Sequence, residues 1–308
     1  MENKSQITII GAVNIDLIGY PDNDLIFKDD NVGSLETILG GVGRNIAENL
    51  ARLDVSVNFL TVFAKDHFAL QIKNSCSTLN IDISHSLEVQ NATTSTFMAI
   101  MDKHNDMALG ISAMHIYDEI PNSFILNNLK LINSNEYCIL ETNIPQSTLE
   151  LVVKNAPNTK FALDAVSGTK ALKAKNILSH LHILKCNLIE AKLLSGIKVT
   201  SENDFELLVK HFLKLGVKKV FITLGKKGLI YGDKNSINRL KPMYKIQPIN
   251  TTGGGDSFMA GLLLAELNNF NIHKMAKTAT ACAELTIQHK NTVHPKINKK
   301  YILNQIND

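Results

Sequence analysis

The sequence predicts an α/β protein with a mostly parallel central sheet, helices on both of its faces and a small separate β-sheet. Three observations predict it. From residue 121 onward, short apolar runs alternate regularly with helix-length segments. Two stretches, near 17–38 and 93–112, interrupt the strand–helix order with extended pieces that lack helical periodicity. Glycine-rich junctions stand immediately before helix-like segments at residues 40–43 and 253–255. Alternation of this kind builds parallel sheets covered by helices. Ligands then gather beyond the carboxyl ends of the strands.

The bulk properties set the frame. A length of 308 residues suits one large domain or two modest ones. A chain 44% hydrophobic and 20% charged is an ordinary globular protein. A net charge of +3 is too small to argue for nucleic acid or a membrane surface as a partner. The four cysteines (Cys76, Cys138, Cys186, Cys282) are scattered without a Cys-x-x-Cys pair, which points to reduced thiols in a cytoplasmic protein rather than zinc or disulfides. Met1–Ser5 lead straight into an apolar strand-like run, so no secretory leader and no membrane span are expected. The 10 histidines show no metal-ligand spacing.

Taken in order, Ile7–Gly11 reads as a buried strand ending at a ligand-facing edge. Asn14 and Asp16 follow, two apart, so in an extended segment both side chains point the same way. They face one site or form a surface turn. Short extended pieces at Leu17–Tyr20 and Leu35–Leu39 fit a small separate sheet. Gly40, Gly41 and Gly43 then open a helix that carries Arg44 and Asn45, with Ile46, Asn49, Leu50 and Leu53 at helical spacing. No Gly-x-x-x-x-Gly-Lys-Ser/Thr and no Gly-x-Gly-x-x-Gly occurs, so Walker-type and Rossmann nucleotide binding are not supported. The glycines instead fit a backbone brought against a polyol, with Asn45.

Val57–Phe63 reads as a strand and Phe68–Leu79 as a helix. Thr94–Met101 and Met107–Ile111, joined by a polar turn at Asp102–Asp106, give a hairpin. The alternation that follows is helix 121–131, strand 137–140, helix 146–155, strand 160–164, helix 170–178, strand 181–184 and helix 188–195, closed by Gly196. Glu141, Asn143 and Asp164 follow strand ends. Asn187 and Glu190, one turn apart, face the same side, either toward a ligand or as a capping box. Helix 202–215, strand 219–224 and strand 229–232 come next. Thr223, Gly225 and Gly228 lie in the intervening turn, which also fits a plain tight hairpin. Helices 255–267, 272–289 and 297–306 complete the chain.

The stretch Asn250–Gly261 organises the rest. It follows a strand end expected at Ile246–Ile249 and enters a helix. Gly253, Gly254 and Gly255 allow close backbone approach to a ligand, and the unpaired first N–H groups of the helix make an anion site. Asp256 at that helix start is either an N-cap or a base that takes a hydroxyl proton while the amides hold a transferred phosphoryl group.

These twelve residues resemble, position by position, the C-terminal signature of the PfkB (ribokinase-like) carbohydrate kinases. Gly40–Ala47 resembles that family's N-terminal signature, and the resemblance runs over the whole chain. Asp54, Ala64 and Ala69 depart from the N-terminal pattern, and Cys186 stands where the family has Pro before its Asn-x-x-Glu. The resemblance implies a ribokinase-like fold, one kinase domain over residues 1–308, with the segments near 17–38 and 93–112 as a lid. It implies ATP and magnesium, a potassium site in some members, a homodimer through the lid, and a small-molecule sugar or nucleoside acceptor. Asp256 would be the catalytic base, with Gly253, Gly254 and Gly255 as the anion hole. Asn14, Asp16, Gly40, Gly41, Asn45, Asn143 and Lys170 would hold the acceptor. Asn187, Thr223, Gly225 and Gly228, with Gly253 and Gly255, would hold ATP, and Glu190 would organise magnesium through water. Within the family, Gly40–Leu50, Asn14–Asp16, Thr94-Ser95 and Asp164-x-Val166-Ser167-x-x-Lys170 are similar to the bacterial pseudouridine kinase subgroup. Lys170 would then reach a base carbonyl, the alternative being a solvated lysine at a helix start. Ribokinase or another sugar or nucleoside kinase is the alternative activity, and a non-catalytic binding regulator on the same fold is the third reading.

Overall fold

A computed structural model describes residues 6–104, 106–243 and 247–306. In chain order the elements are β1 (Gln6–Ile10), β2 (Asn14–Pro21), β3 (Gly33–Gly40), α1 (Val42–Arg52), β4 (Ser56–Leu60), β5 (Val62–Phe63), α2 (His67–Thr78), β6 (Leu87–Glu88), β7 (Thr96–Met101) and β8 (Met107–Ala113). There follow α3 (Asn122–Ser134), β9 (Tyr137–Glu141), α4 (Gln146–Asn155), β10 (Lys160–Asp164), α5 (Gly168–Ala171), β11 (Leu181–Asn187), α6 (Leu188–Ser195) and α7 (Phe205–Lys214). The chain ends with β12 (Lys219–Thr223), β13 (Leu229–Asp233), β14 (Ile237–Leu240), α8 (Gly254–Leu267), α9 (Ile272–Thr286) and α10 (Lys299–Gln305).

Eight strands form the main sheet in the order β14-β13-β12-β11-β10-β9-β1-β4, parallel from β12 through β4, with β13 and β14 antiparallel at the edge. Strand residues alternate between two cores, as the two-residue period requires. Ile7, Ile9, Ile139, Ala162, Ile183 and Phe221 pack under α1, α2, α8, α9 and α10. Ile10, Leu140, Leu163, Leu184 and Ile222 pack under α3 to α7. The small sheet has the order β3-β2-β7-β8 and joins the main body where β2 follows β1 and where β7 follows Thr94 and Ser95.

Three expectations need correction. The Val57–Phe63 strand is broken: β1 ends at Ile10, so the chain has no ladder partner beyond Leu60, and Val62–Phe63 instead pairs with Leu87–Glu88. The helix at 170–178 is a short α-helix followed by a 3-10 helix over Leu172–His180; its buried Ala171, Ala174 and Ile177 recur every third residue, the 3-10 period. Of the strand end expected at 246–249, Ile246 lies outside the described residues, and Ile249 donates its N–H to the Ile287 carbonyl at 2.8 Å rather than joining a sheet. Asn105, within the 102–106 turn, also lies outside the described residues. The outermost strand of the main sheet, Ile237–Leu240, carried no sequence signal strong enough to be read. Among the described residues no helix is long and apolar enough to cross a membrane.

Candidate active site

The polar groups of the site share one face of one sheet edge. Glu141 on β9, Asp164 on β10, Lys185 and Asn187 on β11 and Thr223 on β12 each lie an even number of residues from an inward residue of the α8-side core. Asp164 is in register with Glu141 on one side and Lys185 on the other, and Asn187 with Thr223. These carboxyl-end residues therefore face the start of α8.

Helix α8 begins after Gly253, which sits at φ 82°, and no side chain caps it. A Cβ on Gly253 would lie 1.8 Å from the Thr292 carbonyl oxygen, so both the φ and the packing demand glycine. The uncapped N–H groups and the helix dipole make an anion site. Asp256 is not the N-cap: it stands in the first turn, buried, and its Oδ2 accepts from Asn45 Nδ2 at 2.7 Å. Burial, then the nearby Asp164 carboxylate, push the Asp256 carboxyl up to about 7, with Asn45, Lys185 and Arg44 opposing.

Asn45 is held from behind. Its Oδ1 accepts from Arg44 Nη2 at 2.5 Å, and Arg44 also donates to the Gly40 carbonyl at 3.1 Å, the Leu39 carbonyl at 2.7 Å and Glu48 at 2.5 Å. Arg44 thus ties the returning strand of the small sheet to α1. Gly41, at φ 99°, lets α1 start against the 12–14 segment, where a Cβ would meet the Ala12 oxygen at 2.5 Å. Asn14 and Asp16 do point the same way, with Asn14 Nδ2 donating to Asp16 Oδ1 at 2.5 Å and Gly40 packed against both. Burial holds the Asp16 carboxyl above its usual range, against Asn14 and Arg44.

Asn143 and Lys170 meet: Lys170 Nζ donates to Asn143 Oδ1 at 2.5 Å. Lys170 is therefore not a freely solvated lysine. Burial lowers its pKa, against the attraction of Glu141. Glu141 itself is fully buried, accepts from the Ala12 and Asn143 N–H groups at 2.5 and 2.7 Å, and is pushed up to about 7 by that burial.

Asn187 and Glu190 form the capping box: Asn187 Oδ1 accepts from Glu190 N at 2.9 Å, and Glu190 accepts from Asn187 N and Nδ2 at 2.7 and 2.6 Å. Each Glu190 oxygen keeps a second lone pair. No cluster of three metal-ligating side chains exists among the described residues. Glu190 is the carboxylate here that could meet a magnesium ion through water. Thr223 lies beside Asn187, but Gly225 and Gly228 form the tight hairpin, with Gly228 packed against the Leu240 carbonyl. Thr94 and Ser95 are engaged where the small sheet meets the main body, Thr94 with Asp66 and Ser95 with the Val13 carbonyl.

Sequence reasoning missed three residues here. Lys185 is one: its Nζ donates to Asp164 Oδ2 at 2.8 Å beside Gly255. Its signal was a lone charge inside an apolar strand. Arg44 is the second. Tyr117 is the third: its buried phenol accepts from Val13 N at 2.6 Å and donates to Val13 O at 2.8 Å, fixing the segment before Asn14. Nothing in its sequence context marks it.

The buried Asp256 carboxyl thus stands in the first turn of a helix whose N-terminal amides carry no side-chain cap. A family model described as pfkB family carbohydrate kinase matches residues 4–299, and the chain belongs to that family. A pseudouridine kinase of Escherichia coli is 28% identical over 97% of this chain and 95% of its own. A ribokinase of Staphylococcus aureus is 28% identical over 94% of each. The Arabidopsis thaliana ribokinase solved with ribose and ATP superposes with a TM-score of 0.90 over 99% of both chains at 20% identity, a likeness of fold.

Proposed function

We propose that this chain transfers the γ-phosphoryl group of ATP to the 5′-hydroxyl of pseudouridine, giving pseudouridine 5′-phosphate. The observation that carries the transfer is Asp256, buried and raised to about 7 at the open start of α8. At neutral pH such a carboxyl accepts a proton readily and gives it up again. The acceptor oxygen attacks the γ-phosphorus, its proton passes to Asp256, and the electron pair of the breaking bridge bond leaves with ADP. The amides of Gly253, Gly254 and Gly255 would take the charge on the transferred group. Magnesium, held by the nucleotide phosphates and by water on Glu190, would neutralise further phosphate charge.

Asn14, Asp16, Gly40, Gly41 and Asn45 would fix the ribose, and the coupled Asn143–Lys170 pair would meet the base. A positive, partly desolvated ammonium beside an amide suits the carbonyls of a uracil ring. The similarity to the E. coli pseudouridine kinase supports that choice. The S. aureus ribokinase, equally identical, keeps ribose as the second reading. Asn187, Thr223, Gly225 and Gly228 would face ATP. The small sheet would act as a lid that excludes water. Its face opposite Asp16 exposes Leu35, Met98, Leu109 and Ile111, which supports pairing with a second copy. Four buried free thiols fit the cytoplasm.

The test is ATP consumption with pseudouridine, uridine, adenosine, ribose and fructose 6-phosphate, with magnesium and potassium present. Turnover of pseudouridine well above uridine is expected. Turnover of ribose or adenosine instead would replace the acceptor. Binding of the panel without turnover would leave a regulator.

A further inference from the structure

Residues 11–13 run between β1 and β2 and belong to neither ladder. Their buried peptide groups need partners from elsewhere. Ala12 donates to Glu141 at 2.5 Å, and its carbonyl accepts from the Arg44 N–H at 3.2 Å. Val13 is met on both sides by one hydroxyl: the Tyr117 phenol accepts from Val13 N at 2.6 Å and donates to Val13 O at 2.8 Å. Ser95 Oγ donates to the same carbonyl, and Thr61 Oγ1 lies 3.4 Å from the phenol. Tyr117 is 1% exposed, so no bulk water stands ready to replace it. A phenylalanine would fill the same apolar slot, and only the hydroxyl completes Val13.

The Val13 peptide leads directly into Asn14, which bonds Asp16. Gly41 closes the segment from the other side: a Cβ there would stand 2.5 Å from Val13 Cα and 2.9 Å from Asn14 N. The tilt of the Val13 peptide therefore sets where Asn14 projects. Tyr117 has a second attachment, through its own turn. It lies in the 3-10 helix His115–Glu119 that follows β8, and its N–H donates to the Met114 carbonyl at 3.2 Å. Met114 Sδ accepts from Lys170 Nζ at 3.6 Å, and Lys170 also donates to Asn143. One side chain and its turn thus reach both the 12–16 segment and the Met114–Lys170–Asn143 group. Burial pushes the phenol up to about 12, against its bonds with Thr61, Val13 and Ser95, so it stays a hydroxyl through the range in which Asp256 titrates.

We infer that Tyr117 is a positioning residue for the acceptor: its hydroxyl fixes the Val13 peptide ahead of Asn14, and its turn fixes Met114 against Lys170, so that two parts of the acceptor seat far apart in sequence keep one spacing. The inference rests on the kinase reading and on that seat, but not on which acceptor is used. Tyr117 touches neither substrate nor reacting atoms, and it exchanges no proton in the transfer. It supplies order in the free protein, which lowers the cost of binding an acceptor there. Without the hydroxyl, Ser95 still serves the Val13 carbonyl, but the buried Val13 N–H loses its phenol partner. The peptide is then free to turn toward another acceptor, and Asn14 turns with it.

The test is steady-state kinetics, with calorimetric binding of the acceptor in the absence of nucleotide, on the wild type, Tyr117→Phe and Ser95→Ala. The acceptor is pseudouridine, or the member of the panel that the wild type turns over best. Tyr117→Phe should raise the acceptor KM and Kd together by about 10-fold, the loss of one buried hydrogen-bond partner, while kcat and the KM for ATP change by less than about 3-fold. The pH profile should keep its wild-type midpoint, because Asp256 is untouched. A tyrosine with a merely structural role would lower Tm and leave the acceptor KM and Kd where they were. That result, an equal rise in the KM for ATP, or a fall in kcat at constant acceptor KM would overturn the inference. Ser95→Ala removes the other donor to the Val13 carbonyl and should raise the acceptor KM in the same direction by about 3-fold. It decides the matter if Tyr117→Phe does not fold, an unchanged acceptor KM then overturning the inference. A wild type that turns over ribose and not pseudouridine would sink the substrate reading alone, while one that phosphorylates no member of the panel would sink both.

Discussion

Replacing Asp256 with Asn should destroy turnover and, in the same molecule, raise heat stability at alkaline pH. The carboxyl rises from an ordinary value of 3.8 to about 7, chiefly through burial and then through Asp164. A folded-state value above the unfolded one means the folded protein keeps a proton that the unfolded chain has already lost. The favourable contribution is full below pH 3.8 and disappears as pH climbs through 7. The ionised group then costs about 4 kcal/mol relative to its unfolded state. Asparagine has the same shape, can still accept from Asn45, and does not titrate. Between pH 5 and pH 8.5 the variant should therefore gain about 3 kcal/mol on the wild type. For a chain of this size that is about 5 °C in Tm. The loss of the base should lower kcat by about 100- to 10,000-fold, and wild-type activity should rise with pH toward a plateau above about 7. Thermal melts at pH 5, 7 and 8.5 with a coupled assay read both quantities. A stability difference that does not widen with pH, or near-normal turnover, would refute the argument that a buried, protonatable carboxyl drives the reaction.

The remaining predictions concern other parts of the fold. Gly253→Ala forces a Cβ into the Thr292 carbonyl at a left-handed φ, and should cost about 3 kcal/mol and most of the turnover, measured by urea unfolding and initial rates. At the opposite end of α8, Glu266 binds Lys219 at 2.6 Å and His182 at 2.6 Å, and is held down at about 2 by those partners against its burial. Its contribution is present above the unfolded value of 4.5 and lost as pH falls toward 2, so Glu266→Gln should cost about 3 kcal/mol at pH 7 and progressively less between pH 4.5 and 3; a cost independent of pH would remove the ion pairs from the explanation. Changing Leu109 and Ile111 to Lys together should halve the mass seen by sedimentation while leaving the fold intact, and an unchanged mass would exclude that face as the contact between copies.

Most of the architecture was legible because periodicity is a property of the chain itself. Ile7–Ile10, Tyr137–Glu141 and Lys160–Asp164 are apolar runs bounded by helix-length segments, and two buried faces leave no other place for them. Boundaries failed where a neighbour, not the segment, decides. Val57–Phe63 is continuous in sequence but loses its partner when β1 ends at Ile10. The 3-10 winding of Leu172–His180 depends on Ala171, Ala174 and Ile177 sharing one buried edge, which three-residue and 3.6-residue periods distinguish poorly over so short a run.

The candidate site was visible in its glycines and in Asp256, because a glycine-rich helix start with an acid in its first turn has few uses. Its wiring was not. Asn187 and Glu190 form the capping box that local spacing alone suggested, and each Glu190 oxygen keeps a lone pair that can accept from water. Lys185 was overlooked because a lysine is ordinarily read as solvated. Its meaning depends on Asp164 of the next strand and Gly255 of a helix seventy residues on. Those are contacts that only the folded sheet brings together. The charges themselves argue for a ligand. Asp164, Glu190 and Asp256 surround one ammonium, so acidic groups outnumber the cation there. An arriving phosphate adds more negative charge to that set. On the kinase reading, the uncapped amides of α8 and a cation travelling with the phosphate would offset that charge beside the raised carboxyl of Asp256.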